Sequence, residues 1–108
     1  MELLHQFEPE VNWNRYEHEC AQGWQQDGRI FGQPFYMLEY ALAHMGALQL
    51  YQQASLDHRT TWRVYREALT LGGTRRLSDL FQAAGVDFSL QPGVVKSVAA
   101  FLAAQLLD

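Results

Sequence analysis

The chain is poor in cysteine, in basic residues and in anything patterned like a β-strand. Its one cysteine, Cys20, excludes an internal disulfide and fits a reducing compartment, so a cytoplasmic location is expected. Eight Lys and Arg stand against twelve Asp and Glu, a formal charge of -4. That balance argues against a nucleic-acid partner, because phosphate binding needs clustered cations. The adjacent Arg75 and Arg76 read as a solvated turn. No secretory signal is visible in "MELLHQFEPE", which is acidic and lacks an apolar h-region. The longest apolar-rich run, 94–107, is broken by Lys96 and Ser97 and is too short to span a bilayer. There is no internal repeat, low-complexity tract or linker, and no alternating apolar pattern of strand length. With 48% hydrophobic and 19% charged residues, the chain reads as one ordered domain over residues 1–108.

What is present is helical punctuation. In 12–27, Trp13, Tyr16, Cys20 and Trp24 recur at spacings of three and four, with Asn12 placed to cap. Pro34 suits the first turn of a second helix, "PFYMLEYALAHMGALQLYQQASL", which is apolar around most of its circumference and so expects burial on several sides. Ala43, Gly46, Ala47 and Ala54 give it a stripe of small residues where another helix can approach. Ser55 or Asp57 caps a third helix that ends at "GGT", with Trp62, Tyr65 and Leu69 on one face. "LSDLFQAAG" forms a short fourth. Ser89 caps a fifth, whose apolar face is Val94, Val98, Phe101, Leu102 and Leu106. The expectation is an all-α fold, a compact bundle of about five helices.

The stretch "HECAQ" is one letter short of the helical zinc motif His-Glu-x-x-His. His18 and Glu19 are in place, but the second imidazole is replaced by Gln22, whose amide oxygen is a poor zinc ligand. His5, His44 and His58 stand at no metal spacing to His18 or to one another. Glu17, His18, Glu19 and Gln22 read as the wet face of an amphipathic helix, and Cys20 as a packed thiol. No metal site is expected. "LGGT" has neither the preceding strand nor the following Lys of a phosphate loop.

The order of features from Trp13 onward carries more information. "NWNRYE", "GW", "IFGQPFYMLEYALAHMGALQLY" and "YREALTLGGTRRLSDLFQAAGVDFSL" resemble, in unbroken order over about residues 8–90, the C-terminal end of the oligoendopeptidase F family. These are zinc metallopeptidases related to thimet oligopeptidase. The resemblance implies a nearly all-helical body enclosing a substrate channel, with zinc held by a portion upstream of this segment. It implies that this chain carries no cofactor itself and meets peptide substrate only together with a zinc-bearing portion. By the same resemblance, Tyr40 and Tyr36 contact the substrate or the oxyanion formed during attack, and Phe35 and Arg29 line the substrate site. A phenol suits that role because it donates one hydrogen bond while its ring packs against a wall. Read from spacing alone, Tyr36 and Tyr40, at i, i+4 on a buried helix, are more often core residues than catalytic ones. The chain departs from the family at two places: Arg29 stands where members usually carry His, and Met37 where they often carry a second Tyr. Three readings follow: the substrate-channel portion of such an enzyme, inactive alone; a free-standing helical interaction module that lost the chemistry; and an independent small enzyme, for which no constellation speaks. Met1 and the two departures favour the second. Homo-oligomerisation or capture of a partner chain is expected, and no membrane association.

Overall fold

A computed structural model describes residues 2–107. All regular structure among them is helical: α1 (Glu2–Phe7), α2 (Glu17–Gln22), α3 (Gly28–Gly32), α4 (Tyr36–Leu56), α5 (His58–Thr70), α6 (Leu77–Ala83) and α7 (Pro92–Leu107). Two 3-10 turns, Gly23–Gln26 and Gly72–Thr74, complete the inventory. No described helix is long and apolar enough to cross a membrane. Seven α-helices replace the expected five because the N-terminal third is more broken than its spacing suggests. The backbone contacts gather in two units, Met1–Met37 and Leu38–Asp108. Met1 and Asp108 themselves lie outside the described residues.

In the first unit, the helix expected over 12–27 shrinks to α2 and the 3-10 turn. Arg15 has φ 75°, a left-handed conformation that no interior helical residue adopts. Asn12 accordingly accepts from the Asn14 amide (3.0 Å) in a turn of its own, and Tyr16 takes the N-cap position. Of the expected apolar face, Cys20 is buried, Trp13 is half-buried, and Tyr16 and Trp24 are exposed. Trp24 instead packs against Phe31, ring centroids 5.8 Å apart. The indole Nε1 of Trp13 is shielded from solvent and has no hydrogen-bond partner. Cys20 is the one buried residue among those described here. A unit this short buries little of what its unfolded chain exposes.

The second unit is better tied. Asp57 proves to be the N-cap of α5, its Oδ1 accepting from the Thr60 amide (3.1 Å). Ser55 turns back to the Gln52 carbonyl instead. α6 closes in a Schellman motif. Gly85 stands at φ 75°, its amide donates to the Gln82 carbonyl (3.0 Å), and the Val86 amide donates to the Phe81 carbonyl (3.0 Å). That closure turns Val86 inward, where it joins Ala68 and Ala84 in a core flanked by Leu50, Phe81 and Ala83. Ser89 bonds only the Gln91 amide two residues on, so α7 starts at Pro92, with the Gln91 carbonyl accepting from Val95. Val98 of α7 is 2% exposed, whereas Leu106, expected on the same apolar face, is 84% exposed. Tyr51 and Phe101 meet edge to face at 5.3 Å and join α4 to α7.

The polar tie of this unit is Gln49. Its amide oxygen accepts from the Asp87 N–H (2.9 Å), and its Nε2 donates to the Asp87 carbonyl (3.0 Å) and to the Met45 carbonyl (3.2 Å). One turn on, Gln53 Nε2 donates to the Gly85 carbonyl (2.6 Å). Gln49 is the only buried polar side chain described. Gln49→Leu keeps the volume and strands both backbone groups of Asp87. A fully buried orphan costs about 1–3 kcal/mol; Asp87 is exposed and these bonds are partly buried, so the expected loss for the pair is about 1–2 kcal/mol, read as a lower urea midpoint. An unchanged midpoint would mean that water replaces the tie.

Asp57 generates a second expectation. Hydrogen bonds from Thr60 hold its carboxyl below the usual carboxylate range. A depressed folded pKa contributes stability that is present above the unfolded value of about 3.9 and lost as pH falls through the folded value. Asp57→Asn keeps a cap but has no charge to lose. The melting temperature of wild type should exceed that of Asp57→Asn at neutral pH, and the gap should close below about pH 4. A gap constant down to pH 2 would remove the carboxylate from the account.

Candidate functional site

Two features merit chemical attention: the aromatic start of α4 and an apolar groove on the second unit. Phe35 precedes α4 with φ 66° and is 80% exposed. A bulky residue at positive φ is strained, and it marks the point where the chain turns from Pro34 into the helix. Pro34 therefore lies in that turn and not in the first turn of the helix, as its position suggested. Tyr36 opens α4 and is half-buried; Tyr40, one turn further, is 45% exposed. His44 follows at the next turn, its ring 6.3 Å from that of Tyr40. His44 Nδ1 lies 2.7 Å from the Tyr40 carbonyl. A carbonyl can only accept, so His44 Nδ1 is the donor in that contact. Sequence reasoning assigned His44 no part beside Tyr40; the i, i+4 spacing was the available signal.

Arg29, expected to line the substrate site, is held by Asp27. Its Nε donates to Oδ1 (2.8 Å), its Nη2 to Oδ2 (2.8 Å) and its backbone amide to Oδ1 (3.0 Å). This fork-to-fork pair, with the amide bond added, lowers the Asp27 pKa. The guanidinium is thereby oriented by its own α3 N-cap. His18, Glu17, Glu19 and Gln22 are exposed. Among the described residues no three His, Cys, Asp or Glu side chains converge as a metal would require.

The groove lies between α4, α5 and α6, with a volume of about 370 Å³. Gly46, Leu50, Tyr65, Leu77, Phe81 and Val86 are among its lining, and nothing charged is. Its floor depends on the small-residue stripe. A Cβ on Gly46 would stand 2.5 Å from Phe81 Cε1. The ring cannot easily retreat, because Phe88 packs edge-on at 5.0 Å behind it. Ala43, Gly46 and Ala47 thus admit an aromatic ring of α6, and Ala54 lines a separate hollow of about 180 Å³ beside Trp62. The burial expected on several sides of α4 is not found: only Gly46 and Gln49 are buried, while Met37, Leu38, Tyr40 and Tyr51 are exposed. Too few residues of this chain pack on the helix to cover it.

The chain matches no protein-family profile, no curated protein and no solved structure.

Gly46→Ala separates helix preference from packing. At an open helical site the change stabilises by about 1 kcal/mol; against Phe81 it overpacks, at about 1–3 kcal/mol. A net loss of about 1 kcal/mol is expected from these opposing terms, seen in thermal or urea unfolding. On a Phe81→Leu background the same change should turn neutral or stabilising. The same loss on both backgrounds would show that Phe81 does not set the limit.

Proposed function

We propose that this chain is the C-terminal, substrate-channel portion of an oligoendopeptidase-type zinc metallopeptidase, hydrolysing no peptide until joined by a zinc-bearing portion. In that setting its helices complete a compact C-terminal helical part, and Tyr40, backed by Tyr36 and Phe35, presents a phenol to the substrate backbone or the oxyanion. The ordered motifs from Trp13 to Leu90 support the assignment, as does the helix that carries both tyrosines. The observation that carries it is apolar surface left uncovered. The chain exposes 8846 Å². Two separate globules of these unit lengths would expose only roughly 7,300 Å² by the usual scaling of surface with mass. The excess, polar and apolar area together, is larger than the roughly 800 Å² that one partner gives to a standard interface. Trp62, Leu69 and Leu77 are among the residues that leave it bare. Exposed apolar faces of this extent mark interaction sites, and a larger helical body would cover them.

A second reading, a free-standing non-catalytic interaction module, rests on Asp27. A guanidinium already forked to a carboxylate is a weakened substrate ligand, and Met37 supplies no phenol. Both readings require docking, and one experiment parts them. The chain is mixed with the zinc-bearing portion of an oligoendopeptidase truncated ahead of the matching segment. Restored cleavage of short peptides, with turnover reduced about 10²–10³-fold by Tyr40→Phe as for a lost oxyanion donor, supports the channel assignment. Complex formation without cleavage supports the module. Restored cleavage that Tyr40→Phe leaves unchanged ends the catalytic assignment of Tyr40 alone.

A further inference from the structure

The outward face of α5 has a character that neither reading uses. Arg59, Arg63 and Arg66 recur at spacings of four and three, which places them within one narrow arc of the helix. All three are exposed, and Trp62 beside them is 53% exposed. Arg63 is bridged to Glu67 at 3.0 Å. Arg59 and Arg66 make no ion pair or side-chain hydrogen bond to any described residue. These side chains border a broad surface hollow with Thr60, Thr70 and the carboxylate of Glu67, which Arg63 neutralises. The basic stripe is thus two unpaired guanidiniums about 10 Å apart along the axis, with an aromatic flank.

The complementary surface is at the other end of the same sequence. Residues 1–37 hold six carboxylates against two guanidiniums, while 38–108 hold six of each sign. Within the acidic part, α1 and its exit bring Glu2, Glu8 and Glu10 together with Leu3 and Phe7, all exposed. Leu3 and Phe7 are one turn apart on α1, Glu2 opens that helix, and Glu8 and Glu10 follow its last residue. A carboxylate before and two after a pair of exposed apolar side chains offer opposite charge to the guanidiniums and apolar contact to the indole. Nucleic acid is a poor alternative, since the same chain presents a net -4 to it.

We propose that the Arg59–Trp62–Arg66 face of α5 binds the acidic segment 2–10 of a second copy of this chain. Each copy carries both halves, so a reciprocal exchange closes as a two-fold dimer and a one-way exchange runs on into longer assemblies. Because the contact is between exposed charges, its strength follows ionic strength. Screening reaches about 30 Å at 0.01 M and about 3 Å at 1 M.

The test is sedimentation velocity of three proteins: wild type, Arg59→Glu/Arg66→Glu, and Glu2→Arg/Glu8→Arg, with circular dichroism to confirm the helices of each. Wild type should associate at low ionic strength, and its dissociation constant should rise at least about tenfold on going to 1 M salt. Each charge-reversed protein alone should be monomeric, because both of its surfaces then carry one sign. Mixing the two should restore association, since every acidic segment again meets a basic one. A monomeric wild type at low salt overturns the proposal. So does association that ignores salt, or a mixture that stays monomeric; apolar docking through the groove would give the salt-indifferent result and leave the channel assignment standing.

Discussion

The second unit depends on one side chain acting as a piece of backbone. Gln49 presents an amide donor and an amide acceptor side by side, and Asp87 presents the same pair in reverse. The result is a short stretch of sheet-like pairing between the middle of α4 and the segment that follows α6. Without it the segment after Gly85 would have a partly buried N–H and C=O at Asp87 with no protein partner. With it, the Schellman closure of α6 is held at the height where Val86 reaches Ala68 and Ala84. Gln53 repeats the tie at Gly85. Core, closure and groove are consequences of where this loop is held. A hydrophobic residue at 49 would suit α4 better as a helix and the unit worse as a structure.

The same helix shows what the arrangement costs. Glycine in mid-helix is unfavourable by about 1 kcal/mol relative to alanine, yet Gly46 is where Phe81 enters. A helix this apolar would ordinarily collect neighbours on every side. Instead the ring of Phe81 occupies the small-residue stripe, and the flanking surface of Leu77 and Leu69 remains open to solvent. The groove is what remains when one aromatic fills part of a seam that a whole helix could occupy. This explains how a chain with so much apolar sequence has, among its described residues, no large side chain that is fully buried.

The parts of the fold that were legible in the sequence are those governed by local chemistry. Asp57, Gly72 and Gly85 each act on neighbours within a turn, and α5 and α6 begin and end where such residues say they should. The stretch 12–27 misled because its aromatic spacing is helical while its backbone at Arg15 is not, and period alone cannot see a left-handed residue. Gln49 was illegible for the opposite reason. In sequence it is one polar letter in an apolar helix, and its partner is 38 positions away. The candidate site divides the same way. Tyr36 and Tyr40 follow from the helix, but the closure of Arg29 by Asp27 depends on a turn at Asp27 that composition does not announce. The arginines of α5 were open to view, since a helix was expected there; residue spacing was read for its apolar face and not for its charged one.

Two kinds of surface coexist on this chain, and they answer to different solvents. The groove and the bare aromatics are driven together by water's exclusion of apolar area, which salt does not screen. The stripe on α5 and the acidic segment are drawn together by charge, which salt does screen. Apolar surfaces hold partners without choosing among them, whereas paired charges choose orientation and partner with little binding energy of their own. A chain with only the first kind would aggregate through any face. One with only the second would associate weakly. The acidic excess of residues 1–37 also opposes random contact between copies, because like faces repel while the α5 stripe offers an arc of opposite sign. Charge thus selects the approach that apolar area then secures, and the order of these events follows from their range: Coulomb forces act over a Debye length, and dispersion only on contact.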